Sequence, residues 1–233
     1  MRFSTLNESS LHNTLKTMYS EIYDGKTEVE ADGHIYDIVT KNGNVIEIQT
    51  KNLSKLLPKV TDAISKGRSV KIVHPNVIGT RIALHGTDGK LISSRKSPKK
   101  GCLYDIFNEL TGMYSVLLDK HFSLEIMQVN ITEKRIRTAE PEQSKNGRRR
   151  FKKNFQKADK ELSEILGTIR LNDAKDWLAL LPATLPEEFC AKDLGSALGY
   201  KNPHIIIWVM VRMGLLEQTI TKNKSRYYKI TGK

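Results

Sequence analysis

Apolar residues recur along this chain with two different periods. Leu11, Leu15, Met18, Tyr19 and Ile22 share one stripe, which predicts a helix over residues 8–22 capped by Asn7. Glu28–Val39 and Val45–Lys51 alternate instead and read as the two strands of a hairpin. Leu53, Leu56, Leu57, Val60 and Ile64 line a second helix over 53–66. Pro58 must lie near its first turn, and Gly67 ends it. With the aliphatic strand Ser69–His74 next, the run strand–helix–strand predicts a right-handed crossover onto a mixed sheet. Thr80–Leu84 and Lys90–Ser94 flank Thr87-Asp88-Gly89 as a further hairpin. Residues 102–118 read as helical, Phe122–Thr138 as a long strand or a strand pair, and 139–153 as a polar loop or tether. Leu162–Leu171 fits helix or strand, and Asn172 caps a short helix ending at Leu181-Pro182.

Ala191–Leu198 is a short amphipathic segment, Gly199 suits a turn, and Lys201-Asn202-Pro203 opens the helix PHIIIWVMVRM. Leu215–Ile220 and Arg226–Ile230 then flank Lys222-Asn223-Lys224-Ser225. This order and length resemble a winged helix-turn-helix domain. The expected organisation is therefore a domain over 1–138, a basic loop and connecting segment over 139–182, and a winged-helix domain over 183–233.

The stretch DIVTKNGNVIEIQTK, Asp37–Lys51, carries the candidate chemistry. Glu47, Gln49 and Lys51 stand two apart on a strand and so share a face, while Ile46 and Ile48 point the other way. A three-residue loop Lys41-Asn42-Gly43 would set Asp37 opposite Glu47 on that face. A two-residue Asn42-Gly43 loop would put Asp37 on the other, unless a bulge re-aims it. Two carboxylates on one face suit a hard divalent cation that keeps several waters.

At these residues the chain resembles the PD-(D/E)XK nuclease superfamily, in which an acid on one strand precedes acid-x-Lys on the next. Asp37 matches the first acid and Glu47 the second, and Gln49 stands where the lysine usually stands. Lys51 is the candidate for the missing cation, with Lys71 as another, and Glu8 matches the acid often found on an earlier helix. The resemblance covers residues 5–76 and implies a restriction-endonuclease-like α/β fold, a mixed sheet flanked by helices. It also implies a site of Asp37, Glu47, Gln49, Lys51 and Glu8, with magnesium or manganese held by Asp37 and Glu47. Taken whole, the chain also resembles an uncharacterised bacterial family in which such a domain precedes a winged helix.

Charge adds a partner. The net charge is +12 and the pI near 9.6, which points to a polyanion such as double-stranded DNA. The cations cluster in Arg95, Lys96, Lys99 and Lys100 and in Lys145, Arg148, Arg149, Arg150, Lys152 and Lys153. Gly and Pro make both clusters read as loops able to reach phosphates. In the C-terminal module Lys201, Asn202, His204, Lys222, Lys224 and Arg226 are the candidate DNA contacts, with Arg212 on the same helix. That helix is unusually apolar, so a core position or a homodimer face is an equal reading of it. No stretch is long and apolar enough for a membrane, no signal-peptide core opens the chain, and Cys102 and Cys190 lack metal-ligand spacing. A reducing, cytoplasmic setting is expected. The reading is a metal-dependent DNA endonuclease. Its rivals are a non-enzymatic DNA-binding or regulatory protein with a degenerate core, favoured by Gln49, and an assembly module built on helix 203–213.

Overall fold

The computed structural model describes residues 9–144, 147 and 150–232. Asn7 and Glu8, and Lys145, Arg148 and Arg149 of the basic cluster, lie outside them. The architecture is α/β, a mixed sheet flanked by helices. Helix α1 (Ser10–Ile22) starts at Ser9, whose hydroxyl accepts from the His12 amide. Strands β1 (Lys26–Ala31) and β2 (His34–Val39) form a hairpin around Asp32-Gly33, both with positive φ. The single strand expected over 28–39 is thus two, because Asp-Gly suits the left-handed two-residue turn that joins paired strands. Strand β3 (Val45–Ile48) continues antiparallel to β2. A 3-10 turn over Leu53–Leu56 leads into helix α2 (Leu57–Ser65), with Pro58 in its first turn, as expected.

Strand β4 (Val70–His85) is the spine of the sheet and runs through both segments expected as separate strands. It pairs in parallel with β3 over Val70–Val73 and with the long strand β6 (Phe122–Glu142) along its whole length. Strand β5 (Leu91–Lys96) is antiparallel to its far half. The order is β1-β2-β3-β4-β6-β7, with β7 (Lys153–Leu171) at the far edge and β5 added on β4. Between β5 and β6 the chain forms a 3-10 turn (Leu103–Ile106), the short helix α3 (Phe107–Leu110) and further turns, where a longer helix was expected.

The segment 139–182 is not mainly a connecting loop. Residues to 142 extend β6, and β7 (Lys153–Leu171) returns antiparallel beside it. Its alternation is hard to read in sequence because most of its side chains are exposed on the edge strand of the sheet, whose N-terminal end pairs with β6 beyond the end of β4. Helix α4 (Ala174–Leu178) follows. The C-terminal module is helix–turn–helix plus hairpin: β8 (Phe189–Cys190), α5 (Ala191–Leu198), α6 (Pro203–Arg212), β9 (Leu216–Lys222) and β10 (Ser225–Ile230).

One sheet face is covered by α1, whose Leu11, Leu15 and Tyr19 pack with Ile38, Ile48, Val73 and Met127. The other face carries a larger core of Val60, Ile72, Phe107, Leu124 and Trp177. This core runs without a break into Phe189, Leu194, Ile206 and Met210. The helix expected as either core or dimer face is core within its own chain: Ile206, Ile207, Val209 and Met210 are buried, while Trp208 and Val211 are exposed. No helix among the described residues is long and apolar enough to cross a membrane.

A shared core predicts one cooperative unfolding transition. Trp177 is fully buried and meets Phe107 edge-on, so Trp177→Ala should cost about 3–5 kcal/mol in a urea titration. Truncation after residue 182 removes Phe189, Leu194 and Ile206 from the same core and should abolish the transition. Two probes, fluorescence and far-ultraviolet dichroism, should give coincident midpoints in the intact chain. A truncated chain melting at the intact midpoint would contradict the shared core.

Candidate functional site

The turn between β2 and β3 sets the site. The Thr40 amide donates to Asn44 O and the Gly43 amide to Thr40 O, each at 2.9 Å, with Gly43 at φ +78. Residues 41–43 therefore form the three-residue loop whose last position needs glycine. The register pairs Ile38 with Ile46 and Val39 with Val45, which sets Asp37 opposite Glu47. There the ladder stops, and side chains replace main-chain acceptors. The Asp37 amide donates to Glu47 Oε1 at 3.2 Å, and the Ile48 amide donates to Asp37 Oδ2 at 2.8 Å. On the other side of β2, the ladder with β1 skips Glu28, whose φ is +52.

Two helices supply cations and donors to this pair. From α2, Lys59 Nζ lies 2.6 Å from Glu47 Oε1, also donates to Ile35 O at 2.5 Å, and sits 4.9 Å over the Tyr36 ring. From α1, His12 Nε2 lies 3.4 Å from Asp37 Oδ2. One turn further along α1, Lys16 pairs with Glu28. Next on this helix face Tyr19 bonds Glu125, and Tyr23 accepts from Lys71 at 2.5 Å. Sequence reasoning missed Lys59. Its signal was a place beside Val60 and one turn before Ala63, at the border of the buried stripe.

Glu47 is 4% exposed. Burial, reinforced by the charge of Asp37, pushes its carboxyl up from 4.5 to about 7, against the pull of Lys59. Asp37 moves the other way. Burial raises it, but hydrogen bonds from His12 and the Ile48 amide, with the charge of Lys59, outweigh burial and hold it below the usual range. The pair thus holds one firmly ionised carboxylate beside one that titrates near neutrality, as suits groups with different acid–base roles.

The other expected site residues do not join the pair. The Gln49 side chain turns back to donate to Lys51 O at 2.7 Å, so it closes the turn after β3. Lys51 is exposed beyond that turn and makes no ion pair among the described residues. Lys71 belongs to the Tyr23–Glu125 network, with Arg170. Glu8 lies outside the described residues. No group of three His, Cys, Asp or Glu side chains converges as a metal site among the described residues. What fits a hard cation is the carboxylate pair itself. Asp37 Oδ1 and Glu47 Oε2 accept no hydrogen bond among the described residues, while Lys59 already neutralises Glu47.

The expected nucleic-acid residues fall into three places. Arg95 and Lys96 are exposed on strand β5 rather than in a loop, with Lys99 and Lys100 in the return after it. Arg150 and Lys152 are exposed between β6 and β7. In the C-terminal module Lys201, His204, Lys224 and Arg226, joined by Lys192, line a cavity of about 480 Å³. Asn202 and Lys222 are exposed beside it. Arg212 stacks instead, 5.3 Å from the Trp208 ring centre and 5.9 Å from that of Tyr114.

The raised Glu47 carboxyl has a defined pH signature. Its folded value lies above its ordinary one, so its contribution to stability is complete below pH 4.5 and is lost as pH rises through about 7. Glu47→Gln should remove that loss. Relative to the variant, the wild type should weaken across this interval in urea midpoints, and parallel pH profiles would contradict the assignment.

The sheet and both carboxylates fall inside a recognised domain. Residues 9–172 match the family described as a domain of unknown function, DUF8091. An uncharacterized protein of Treponema pallidum (strain Nichols) is 29% identical over 196 residues, which cover 84% of this chain and 74% of that protein. No solved structure matches the chain. The matched span begins at the cap of α1 and ends just after β7, so it follows the seven-stranded sheet and stops short of the helix–turn–helix module. On that match this chain belongs to the DUF8091 family.

Proposed function

We propose that the protein is a metal-dependent DNA endonuclease with a restriction-endonuclease-like core and a C-terminal winged helix that docks duplex DNA. The observation that carries this reading is the meeting of Asp37 and Glu47 where β2 and β3 part, with the Lys59 ammonium 2.6 Å from Glu47. A magnesium or manganese ion held by these two carboxylates would supply Lewis acidity and a more acidic bound water. The chain's own groups have separate tasks. Asp37, kept ionised by His12 and the Ile48 amide, is the firm anionic ligand. Glu47 would be the second ligand, held in place by Lys59 and the Asp37 amide. Lys59 supplies the positive charge that Gln49 lacks and can stabilise charge on a phosphate oxygen. Exposed cations around the second helix of the module and its hairpin suit phosphate contacts.

A second reading is a DNA-binding or regulatory protein without catalysis. It is favoured by the Gln49 side chain, which is turned onto Lys51 O, and by the existing Lys59–Glu47 ion pair.

Cleavage of mixed nucleic acids with magnesium or manganese separates the two. Asp37→Ala and Glu47→Ala should each lower the rate on the order of 10²–10³-fold or more, through loss of transition-state charge stabilisation. Lys59→Ala should also lower it strongly, whereas Gln49→Ala should cost little. Metal-independent, absent or mutation-insensitive cleavage favours the second reading.

Docking has its own measurement. Each neutralised phosphate contributes about −0.9 to the slope of log affinity against log salt. Replacing Lys201, Lys224 and Arg226 together with alanine should flatten that slope and weaken binding to unrelated duplexes alike. A parallel triple variant at Arg148, Arg149 and Arg150 tests the basic cluster between β6 and β7 in sequence. Unchanged slopes in both would remove these surfaces from DNA docking.

A further inference from the structure

Strand β3 stops at Ile48 and β5 joins β4 only from Arg81, so β4 lacks a neighbouring strand on that edge between them. The return segment partly covers the gap: the Ser97 amide donates to Thr80 O, the Gly101 amide to Ile78 O, and Asn76 Nδ2 to Cys102 O. A cleft of about 510 Å³ remains, bordered by Thr50 and His74 at one end. It lies beyond the Gln49–Asn52 turn, away from the contacts made by Asp37 and Glu47.

The lining is of two kinds. One is cationic, Lys99, Arg135, Lys157 and Lys160, with Glu133 as the carboxylate shared by Arg135 and Lys157. Lys99 and Lys160 make no ion pair among the described residues. Desolvation and the charge of Lys157, joined by Lys51 and opposed by Glu133, lower the Lys160 ammonium below its ordinary value although part of its side chain is exposed. The other kind is acceptors, His74 and Glu109. His74 is 6% exposed, and its Nδ1 lies 2.7 Å from Gln49 O. A main-chain carbonyl only accepts, so Nδ1 holds the proton and Nε2 keeps its lone pair. Glu109 uses Oε2 for the Leu53 amide at 3.2 Å. Pro75, Val77, Ile82 and Ile131 add apolar surface to the lining.

We propose that this cleft binds a nucleoside phosphate, with the phosphate against Lys99 and Lys160 and N–H or O–H donors of the nucleoside turned to His74 Nε2 and Glu109. The volume suits one such ligand, the apolar lining suits a base, and the cations suit a phosphate monoester. A phosphate alone would leave the acceptors without a partner, and an apolar ligand would leave cations and acceptors alike desolvated. This assignment does not depend on the cleavage reading.

Calorimetric titration of the full chain with the four ribonucleoside monophosphates, inorganic phosphate and a short single-stranded oligonucleotide tests it. At least one mononucleotide should bind with unit stoichiometry and more tightly than phosphate. Lys160→Ala, on an exposed side chain, should weaken it about ten-fold or more, and His74→Gln should weaken the nucleotide but not phosphate. Asp37→Ala should leave binding unchanged, which keeps this result separate from that of the carboxylate pair. The assignment is overturned if no mononucleotide binds, if phosphate binds equally well, or if Lys160→Ala has no effect. It is also overturned if only the oligonucleotide binds and mononucleotides fail to displace it.

Discussion

Strand β3 lies parallel to β4 for only four residues, and the polar architecture is organised by where that pairing ends. On one side of β3, the ladder with β2 has stopped by Glu47, and two carboxylates take over main-chain amides as acceptors. On the other, the exposed edge of β4 must find partners for its own groups, and it finds them in the 97–102 return and in His74 against Gln49 O. Gln49 stands between the two. Its amide extends the ladder to Val73 O at 3.0 Å, its carbonyl orients His74, and its side chain closes the turn. A residue that the sequence offered as a site candidate thus serves as the joint between two polar regions.

Desolvation is what makes these regions chemically distinct from the rest of the basic surface. A buried carboxylate is stable only with compensating charge or hydrogen bonds, and the helices provide them from both sheet faces. The face of α1 that carries His12, Lys16 and Tyr19, with Tyr23 at its C-cap, meets Asp37, Glu28, Glu125 and Lys71 in turn. From α2, Lys59 reaches Glu47 across Tyr36. Compensation is incomplete at Glu47, and its carboxyl titrates near neutrality as a result. At Glu133 two cations serve one acid, and its carboxyl is held low.

The C-terminal module is tied into the same apolar continuum. Trp177 fills the junction between Phe107 and the module's core, and Tyr200 reaches back to Asp105 at 3.2 Å. A basic helix–turn–helix with hairpin is therefore held in a fixed relation to the sheet by packing, not attached through a flexible tether. The Asn223-Lys224 turn of that hairpin has positive φ at both residues, as a tight two-residue connection requires.

Local periodicity and turn chemistry determined α1, α2, the crossover and the three-residue loops, because those depend on near neighbours in sequence. The placement of Asp37 opposite Glu47 was legible for the same reason: Gly43 admits the left-handed position, and the loop length then sets the register. The Asp32-Gly33 hairpin was equally readable but was masked by continuous strand-like composition on both sides. The tertiary structure alone decided the rest. It turned residues 153–171 into the exposed edge strand of the sheet, merged two segments into the sixteen-residue β4, and made helix 203–212 a core element of its own chain. It also brought Lys59 and His12 to carboxylates far away in sequence, and turned Gln49 away from them. A side chain's partner across a sheet is set by how helices pack on its two faces, and that packing is a property of the whole core, which no short stretch of sequence encodes.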